Sequence, residues 1–168
     1  MSGLLRTEGG LAPTATPSVR AALQRLLATG DDPVALGLRL TLGLVMLPHG
    51  LQKTLGGFGG YGFEGTMGFF TGTMHIPWPF ALAAILAESL GALALVLGLG
   101  GRAAALGIAV NMAVAALTSH LDNGFFMNWF GNQKGEGFEY HLLAIGIALA
   151  VVVRGSGRWS LDRWLARS

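Results

Sequence analysis

The fold is decided by two neighbouring stretches of sequence, PWPFALAAILAESLGALALVLGL (residues 77–99) and RAAALGIAVNMAVAALTSH (residues 102–120). A helix needs roughly 20 mostly apolar residues to cross a bilayer, and both stretches meet that requirement. The second stretch has one Asn, one Thr and one Ser between its ends, so it offers no polar face to water. Because only Gly100 and Gly101 separate the two stretches, we predict an antiparallel pair of membrane-spanning helices.

The composition of the whole chain of 168 residues also favours a membrane protein. It is 52% apolar and only 12% charged, whereas soluble domains carry roughly 25% charged residues. A soluble enzyme or a nucleic-acid-binding module is therefore a poor interpretation, and we expect no nucleic-acid partner. The chain has no cysteine, which excludes disulfides, thiolate catalysis and cysteine-ligated iron–sulfur or zinc sites.

Two more apolar segments, residues 33–55 and residues 137–154, bring the number of predicted spans to four. We therefore predict an all-α fold, an integral membrane four-helix bundle that occupies residues 33–165. Thr16 and Pro17 form a helix start, and residues 17–32 have apolar and polar side chains on opposite faces, which predicts a short interfacial helix and a linker. Residues 1–16 are rich in Gly, Thr and Pro, and we expect them to be disordered.

The basic residues predict the orientation of these spans. With four spans both termini lie on the same side of the membrane, and that side carries eight arginines against Lys53 and Lys134 on the other. Such a bias is typical of the cytoplasmic side, so we expect both termini in the cytoplasm. The eight arginines are Arg6, Arg20, Arg25, Arg102, Arg154, Arg158, Arg163 and Arg167.

Three polar residues within the predicted spans form a candidate buried polar core: Arg39 in the first span, Glu88 in the second and Asn111 in the third. An ionisable residue at the bilayer centre costs at least ~2.5–3.5 kcal/mol, so it needs a partner or a function. The depths of these residues along their helices predict an Arg39–Glu88 pair at hydrogen-bonding distance, with Asn111 within reach. The alternative is a neutral Glu88 that takes part in proton transfer.

A second group of polar residues lies in the outer half of the predicted bundle. Glu139 and His141 are about 200° apart on a helix, so only one of them can face the interior. We predict that Glu139 faces inward, where it meets Lys53 or His49, and that His141 faces outward. The candidate ligand-binding residues of this outer pocket are His49, Gln52, Lys53, His120 and Glu139.

Two glycine-rich aromatic loops, residues 56–75 and residues 124–137, are predicted to cover a cavity at this end of the bundle. His, Lys and Glu beside an apolar bundle suit a quinone or a similar amphiphile, because His titrates near neutrality and supports proton-coupled reduction. We therefore predict a redox-associated subunit that binds a quinone, with the lipid bilayer and soluble redox proteins as its partners. The residues leave open whether the chain is itself catalytic.

The alternative prediction is a non-enzymatic membrane scaffold or small-molecule carrier, in which the Arg39–Glu88 pair is a structural lock. Neither interpretation needs a metal ion, and the spacing of the four histidines matches no common metal-ligand motif. We also expect no haem, because His49 is the only histidine well inside a predicted span.

Short motifs follow one another in a fixed order along residues 34–165. They are Arg39 with Gly43, HGLQK at 49–53, AE at 87–88 with Gly91, GL at 98–99 before Arg102, His120 with GFF at 124–126, GFEY at 137–140 and GSGRWSLD at 155–162. In their order and spacing these motifs resemble the DoxX family of small four-span bacterial membrane proteins. The resemblance implies this fold, a location in the bacterial inner membrane and a link to membrane redox complexes, since the family takes its name from a subunit of a thiosulfate–quinone oxidoreductase.

Overall fold

The computed structural model describes residues 19–167, and this part of the chain contains helices and loops but no strand. The segment predicted to be disordered, residues 1–16, lies outside the described residues. The seven helices are α1 (Val19–Leu27), α2 (Pro33–Thr54), α3 (Gly62–Gly68), α4 (Trp78–Leu97), α5 (Gly101–Asn123), α6 (Glu139–Arg154) and α7 (Leu161–Leu165).

Three of these helices, α2, α4 and α5, are long and apolar enough to cross a membrane, in agreement with the first three predicted spans. The fourth predicted span corresponds to α6, a helix of 16 residues. The first helix, α1, lies within the segment that was predicted to form an interfacial helix, and it packs on α5 and α7.

Local sequence signals explain where the long helices begin and end. Asp32 caps α2 by accepting a hydrogen bond at 2.8 Å from the backbone of Val34, and Pro33 provides a first residue that needs no hydrogen-bond acceptor. Between α4 and α5, Gly98 and Gly100 both adopt left-handed backbone angles, with φ of 67° and 59°. These two glycines make the connection tight, so α4 and α5 form the predicted antiparallel pair.

The four long helices form a ring in which α2 packs on α4 and α6, and α5 packs on the same two neighbours. Small residues let the helices approach closely. At Gly50 of α2, a Cβ atom would lie only 2.4 Å from the carbonyl oxygen of Glu88 in α4. The apolar core within the ring includes Leu42, Met46, Leu95, Ile108 and Val151, all nearly inaccessible to solvent.

The two ends of the bundle differ in their polar residues. We call one the arginine-rich end, since the loops and helix ends there contain Arg102, Arg154, Arg158 and Arg163, all bonded to backbone or to aspartates. We call the other the histidine end, which is covered by α3 and by the loop between α5 and α6. The residues that define the histidine end are His49, His120 and His141.

Candidate ligand-binding cavity

A cavity of about 930 Å³ lies between the four long helices and extends along α5 from Ala103 to Ser119, with its polar side chains toward the histidine end. Its volume is near the top of the range of about 300–1,000 Å³ that is typical of small-molecule sites. Its walls are mostly apolar, with alanines of α4 facing Leu106, Val110 and Val114 of α5. A few polar side chains interrupt these walls at two levels, and they determine what the cavity can bind.

The deeper polar level is built around the carboxylate of Glu88. Lys53 of α2 donates to one oxygen of this carboxylate and forms an ion pair with it. Asn111 of α5 donates from Nδ2 to the other oxygen at 2.7 Å. The side chain of Glu88 is only 7% exposed and that of Lys53 is 25% exposed, so the pair is shielded from bulk solvent while both residues line the cavity.

This arrangement corrects the predicted Arg39–Glu88 pair. Lys53, and not Arg39, is the partner of Glu88, whereas Asn111 reaches Glu88 as expected. The reason is the register of the two helices, because α2 meets the turn around Glu88 at Gly50. Lys53 follows Gly50 by three residues, about one helical turn, whereas Arg39 precedes it by 11 residues, or roughly 16 Å along the helix axis.

The outer polar level is the pair of His120 and His141, and the rings of Tyr140 and His49 extend from it toward Gly50, at the height of Glu88. His120 and His141 have their ring centres 4.2 Å apart, and His49 lies 6.4 Å from Tyr140. The Nδ1 atom of His120 is 2.9 Å from the backbone oxygen of Glu136, which fixes the orientation of the ring. His141 is buried, with only 6% of its surface exposed. Its Nδ1 atom has no hydrogen-bond partner in the described part of the chain.

Two of the predicted pocket residues point away from the cavity. Glu139 accepts a hydrogen bond at 2.9 Å from the backbone of Met127, so it anchors the loop between α5 and α6 and does not meet Lys53 or His49. The prediction that Glu139 faces inward and His141 outward is therefore wrong. Gln52 donates to the backbone oxygen of Phe58 at 3.2 Å and lies in a smaller pocket beside the cavity.

The remaining predicted pocket residues, His49, Lys53 and His120, all line the cavity. Sequence reasoning missed Tyr140 as a lining residue and misplaced His141. The sequence did contain a signal for His141, because Ala144, Ala148 and Val151 continue its helical face with apolar residues. All three are buried in the structure. Glu139 shares its face instead with Gly146, which is exposed.

Three π-helical turns border the cavity, and each supplies residues to its lining. They are Phe69–Thr73 after α3, Ala87–Gly91 within α4 and Ala116–His120 within α5. A π turn closes its hydrogen bond one residue later than an α turn and frequently occurs at functional sites. Here the turn in α4 carries Glu88 and the turn in α5 carries His120, so both polar levels depend on irregular helix geometry.

Arg39 has a different role at the arginine-rich end, where it is almost fully buried. Its Nη1 atom donates to the backbone oxygens of Leu95 and Val96, both at 2.7 Å, at the end of α4. The other guanidinium nitrogens donate to backbone oxygens of the loop that follows α6. These acceptors are Ser156 at 2.8 Å, Arg158 at 3.3 Å and Trp159 at 2.8 Å.

Asp162, which sequence reasoning did not single out, completes this end of the bundle. Its carboxylate accepts hydrogen bonds from the backbone of Gly100 at 2.7 Å, the backbone of Gly101 at 3.1 Å and the hydroxyl of Ser156 at 2.5 Å. The motif GSGRWSLD at 155–162 is thus a structural element that ties the end of α6 to the turn between α4 and α5. Its two glycines, Gly155 and Gly157, both have positive φ. In the sequence, two glycines so close together indicate a tight turn of this kind.

No group of three or more His, Asp or Glu side chains within residues 19–167 is arranged to hold a metal ion. The two polar levels of the cavity instead provide hydrogen-bonding groups for an organic ligand. They combine an ion pair, an amide, imidazole rings and a phenol in a mainly apolar space.

The family comparison agrees with this architecture. A family model described as DoxX matches residues 34–121, which is more than half of the chain. No curated protein and no solved structure matches the chain. The matched region includes α2, α4 and most of α5, with Arg39, Glu88 and Asn111, whereas α6 and the motif at 155–162 lie beyond it. This helical membrane protein therefore belongs to the DoxX family.

Proposed function

We propose that this protein binds a quinone, or a similar small amphiphile, in the cavity at the histidine end. The observation that carries the proposal is a largely apolar cavity of about 930 Å³ with polar groups at two levels. Ligand sites typically combine apolar walls with a few polar groups that orient the ligand. A quinone has this pattern, since its flat ring is apolar and its carbonyl oxygens need hydrogen-bond donors.

The residues of the cavity fit such a ligand. The Nδ1 atom of His141 is buried without a hydrogen-bond partner in the described part of the chain, and burying a polar atom in this way is costly. A ligand carbonyl or hydroxyl beside this ring would supply the missing partner. A bound quinone would supply two-electron, two-proton redox chemistry, and the His120–His141 pair would then be positioned to donate or accept protons.

The proposal includes a definite arrangement in the membrane. We infer that α6 is a fourth span beside α5 and α2, and that both termini lie in the cytoplasm of a bacterial cell, with the bundle in the inner membrane. The arginines at one end support this orientation. Exposed tryptophans at both ends are typical of the two membrane interfaces, and they are Trp78 and Trp129 at the histidine end, and Trp159 and Trp164 at the arginine-rich end.

A role as a redox-associated subunit would require partners. The chain has no cysteine, so a thiol relay or a cysteine-ligated cluster must belong to another protein. The loop between α5 and α6 contributes Met127 and Glu136 to the cavity lining, and its exposed aromatic side chains are Phe125, Phe126, Trp129 and Phe130. Soluble redox proteins that approach from this side are the partners that the proposal predicts.

The alternative function is a non-enzymatic scaffold or carrier, and the contacts of Arg39 favour its structural part. Arg39 and Asp162 hold the arginine-rich end together without reference to the cavity. In the scaffold interpretation the lock is therefore between Arg39 and backbone oxygens, and not between Arg39 and Glu88. A carrier would use the same cavity but would release its ligand unchanged.

Quinone binding to the purified protein separates these functions. The protein is isolated in mild detergent, its co-purified small molecules are identified by mass spectrometry, and the stripped protein is titrated with a naphthoquinone. We expect His120→Ala and His49→Ala each to weaken binding about tenfold, which corresponds to ~1.4 kcal/mol. The control is Thr41→Ala, an exposed position on α2 outside the cavity, which should leave the affinity unchanged.

Two results would contradict the proposal. Failure of the wild-type protein to bind or co-purify with any quinone would favour the scaffold. Equal affinities of the wild type and both histidine variants would show that the quinone binds outside the cavity.

A further inference from the structure

The cavity opens sideways through the wall of the bundle. Leu106, Val110 and Val114 line the cavity, yet each retains between 46% and 57% of its accessible surface. Val110 lies close to the middle of α5, so this opening is far from either end of the helix. In a membrane, an opening at this height faces hydrocarbon and not water.

The opening exists because α4 and α5 diverge. Near the arginine-rich end the two helices touch, and a Cβ atom at Gly91 would lie 3.8 Å from the backbone oxygen of Ala104. Toward the histidine end, the first half of α4 packs on α2 and on α3. Phe80, Ala83 and Ala84 then face α5 across the cavity, and Phe80 is 69% exposed.

The residues that line this gap change from apolar to polar along α5. The cavity follows one face of α5 from Ala103 to Ser119, which is about 24 Å at 1.5 Å per residue. From Ala103 to Val110 this face contributes only apolar residues, and Asn111 is the first polar one. A ring that contacts Asn111 and the histidines therefore leaves a long apolar groove unfilled, open to the bilayer.

We propose that the ligand carries a long hydrocarbon chain and that this chain lies in the gap between α4 and α5, against Leu106 and Val110. This inference rests on the proposed function and names the class of ligand more closely: a lipid-soluble quinone or a related headgroup with an isoprenoid or alkyl chain, taken up from the bilayer. The headgroup lies between Asn111 and the histidine pair, and the chain leaves sideways into the surrounding lipid.

The experiment compares two ligands with the same ring. One is a naphthoquinone with a long isoprenoid chain, and the other carries only a methyl group in place of the chain. Leu106→Trp fills the gap, and Leu149→Trp is the matched control, because Leu149 on α6 is similarly exposed but does not line the cavity. Affinities are measured with full-length protein in detergent or nanodiscs.

We expect the long-chain quinone to bind the wild type at least tenfold more tightly than the methyl compound. Leu106→Trp should weaken the long-chain quinone at least tenfold and change the methyl compound by less than twofold, while Leu149→Trp changes neither. If Leu106→Trp does not fold, Ala103→Leu fills the same groove with a smaller side chain and should act in the same direction.

Three results would overturn the inference. Equal weakening of both quinones by Leu106→Trp would place the ring, and not the chain, in the gap. Equal affinity of the two quinones for the wild type would mean that bilayer lipid fills the gap instead of the ligand's chain. Binding of neither quinone to the wild type would overturn the proposed function, and the inference would fall with it.

Discussion

The arginine-rich end and the histidine end both bury polar side chains, but they use them in different ways. At the arginine-rich end the guanidinium of Arg39 and the carboxylate of Asp162 form hydrogen bonds mainly with backbone groups. At the histidine end the polar side chains bond to one another or border an open space, and one nitrogen of His141 has no partner among the described residues. Satisfied backbone contacts stabilise a fold, whereas unfilled hydrogen-bonding capacity leaves room for a ligand.

The difference teaches that a charged residue within a spanning helix need not belong to a functional site. Arg39 and Glu88 are both charged residues within apolar spans, so the sequence alone could not show which of them belongs to a functional site. Arg39 uses all five of its N–H groups on five backbone oxygens, so it has no donor left for a ligand. The comparison predicts that changes at one end reduce stability and changes at the other reduce binding.

The largest effect is expected from Arg39→Leu, which removes these five hydrogen bonds from a buried site. Loss of a buried charged group that leaves its partners unsatisfied costs on the order of ~3–5 kcal/mol. The fraction of folded protein recovered in detergent should fall sharply, and Arg39→Lys should rescue it poorly, because one ammonium cannot match the planar guanidinium.

The control for this prediction is Arg154→Ala at the same end, where the side chain is about half exposed and pairs with Asp32. This variant should lose little stability. If Arg39→Leu unfolds no more readily than Arg154→Ala, as measured by thermal unfolding in the same detergent, the proposed contrast between the two ends is wrong.

A smaller effect is expected from Gly50→Ala, which tests the contact that sets the register of the histidine end. The added methyl group would lie 2.4 Å from the carbonyl oxygen of Glu88, so α4 must move. Overpacking of this kind costs about 1–3 kcal/mol. The displacement should also disturb the Lys53–Glu88 pair, so quinone binding should weaken along with the melting temperature.

The matched control is Gly37→Ala on the same helix, where no atom lies within 4 Å of the added methyl group. It should leave both the melting temperature and quinone affinity close to those of the wild type. Similar behaviour of the two variants would show that Gly50 does not determine how α2 meets α4.

The smallest effect is expected from the aspartates before α2. Hydrogen bonds from Arg163 and Arg158 lower the pKa of Asp31 below its ordinary value of 3.8. Arg154 lowers the pKa of Asp32 in the same way. Because these lowered values apply to the folded protein, their contribution to stability is present above the ordinary pKa and is lost as the pH falls through the lowered value.

This contribution should appear as a modest drop in the melting temperature between about pH 5 and pH 2, and 1 M salt should reduce it because both carboxylates are accessible to solvent. In Asp31→Asn/Asp32→Asn this part of the drop should disappear. A drop of the same size in the double variant would assign the acid sensitivity to other carboxylates.

The sequence was sufficient for the features that depend on local pattern. The lengths of the apolar runs identified α2, α4 and α5, and the short connection at Gly100 and Gly101 correctly predicted the tight turn between α4 and α5. Within the glycine-rich aromatic segment at residues 56–75, the structure contains the short helix α3 and the π turn Phe69–Thr73.

The partners of the polar residues were harder to predict, because they depend on how far one helix is shifted along its neighbour. Counting depth from the ends of the spans placed Arg39 beside Glu88, whereas the register set at Gly50 places Lys53 there. The long side chain of Lys53 adds to the difference, since its ammonium lies far from its own Cα. No periodic pattern in the sequence contains this information.

The π turn that carries Glu88 has a consequence for how related sequences should be compared. A π turn accommodates one residue more than an α turn, so removing a residue from Ala87–Gly91 allows a regular α-helix to continue with both flanking segments still facing the same way. A homologue without the carboxylate site would then align with a single-residue gap at this point and an otherwise uninterrupted apolar helix. A one-residue length difference at this point would therefore distinguish family members that keep the π turn in α4 from those in which α4 is a regular α-helix.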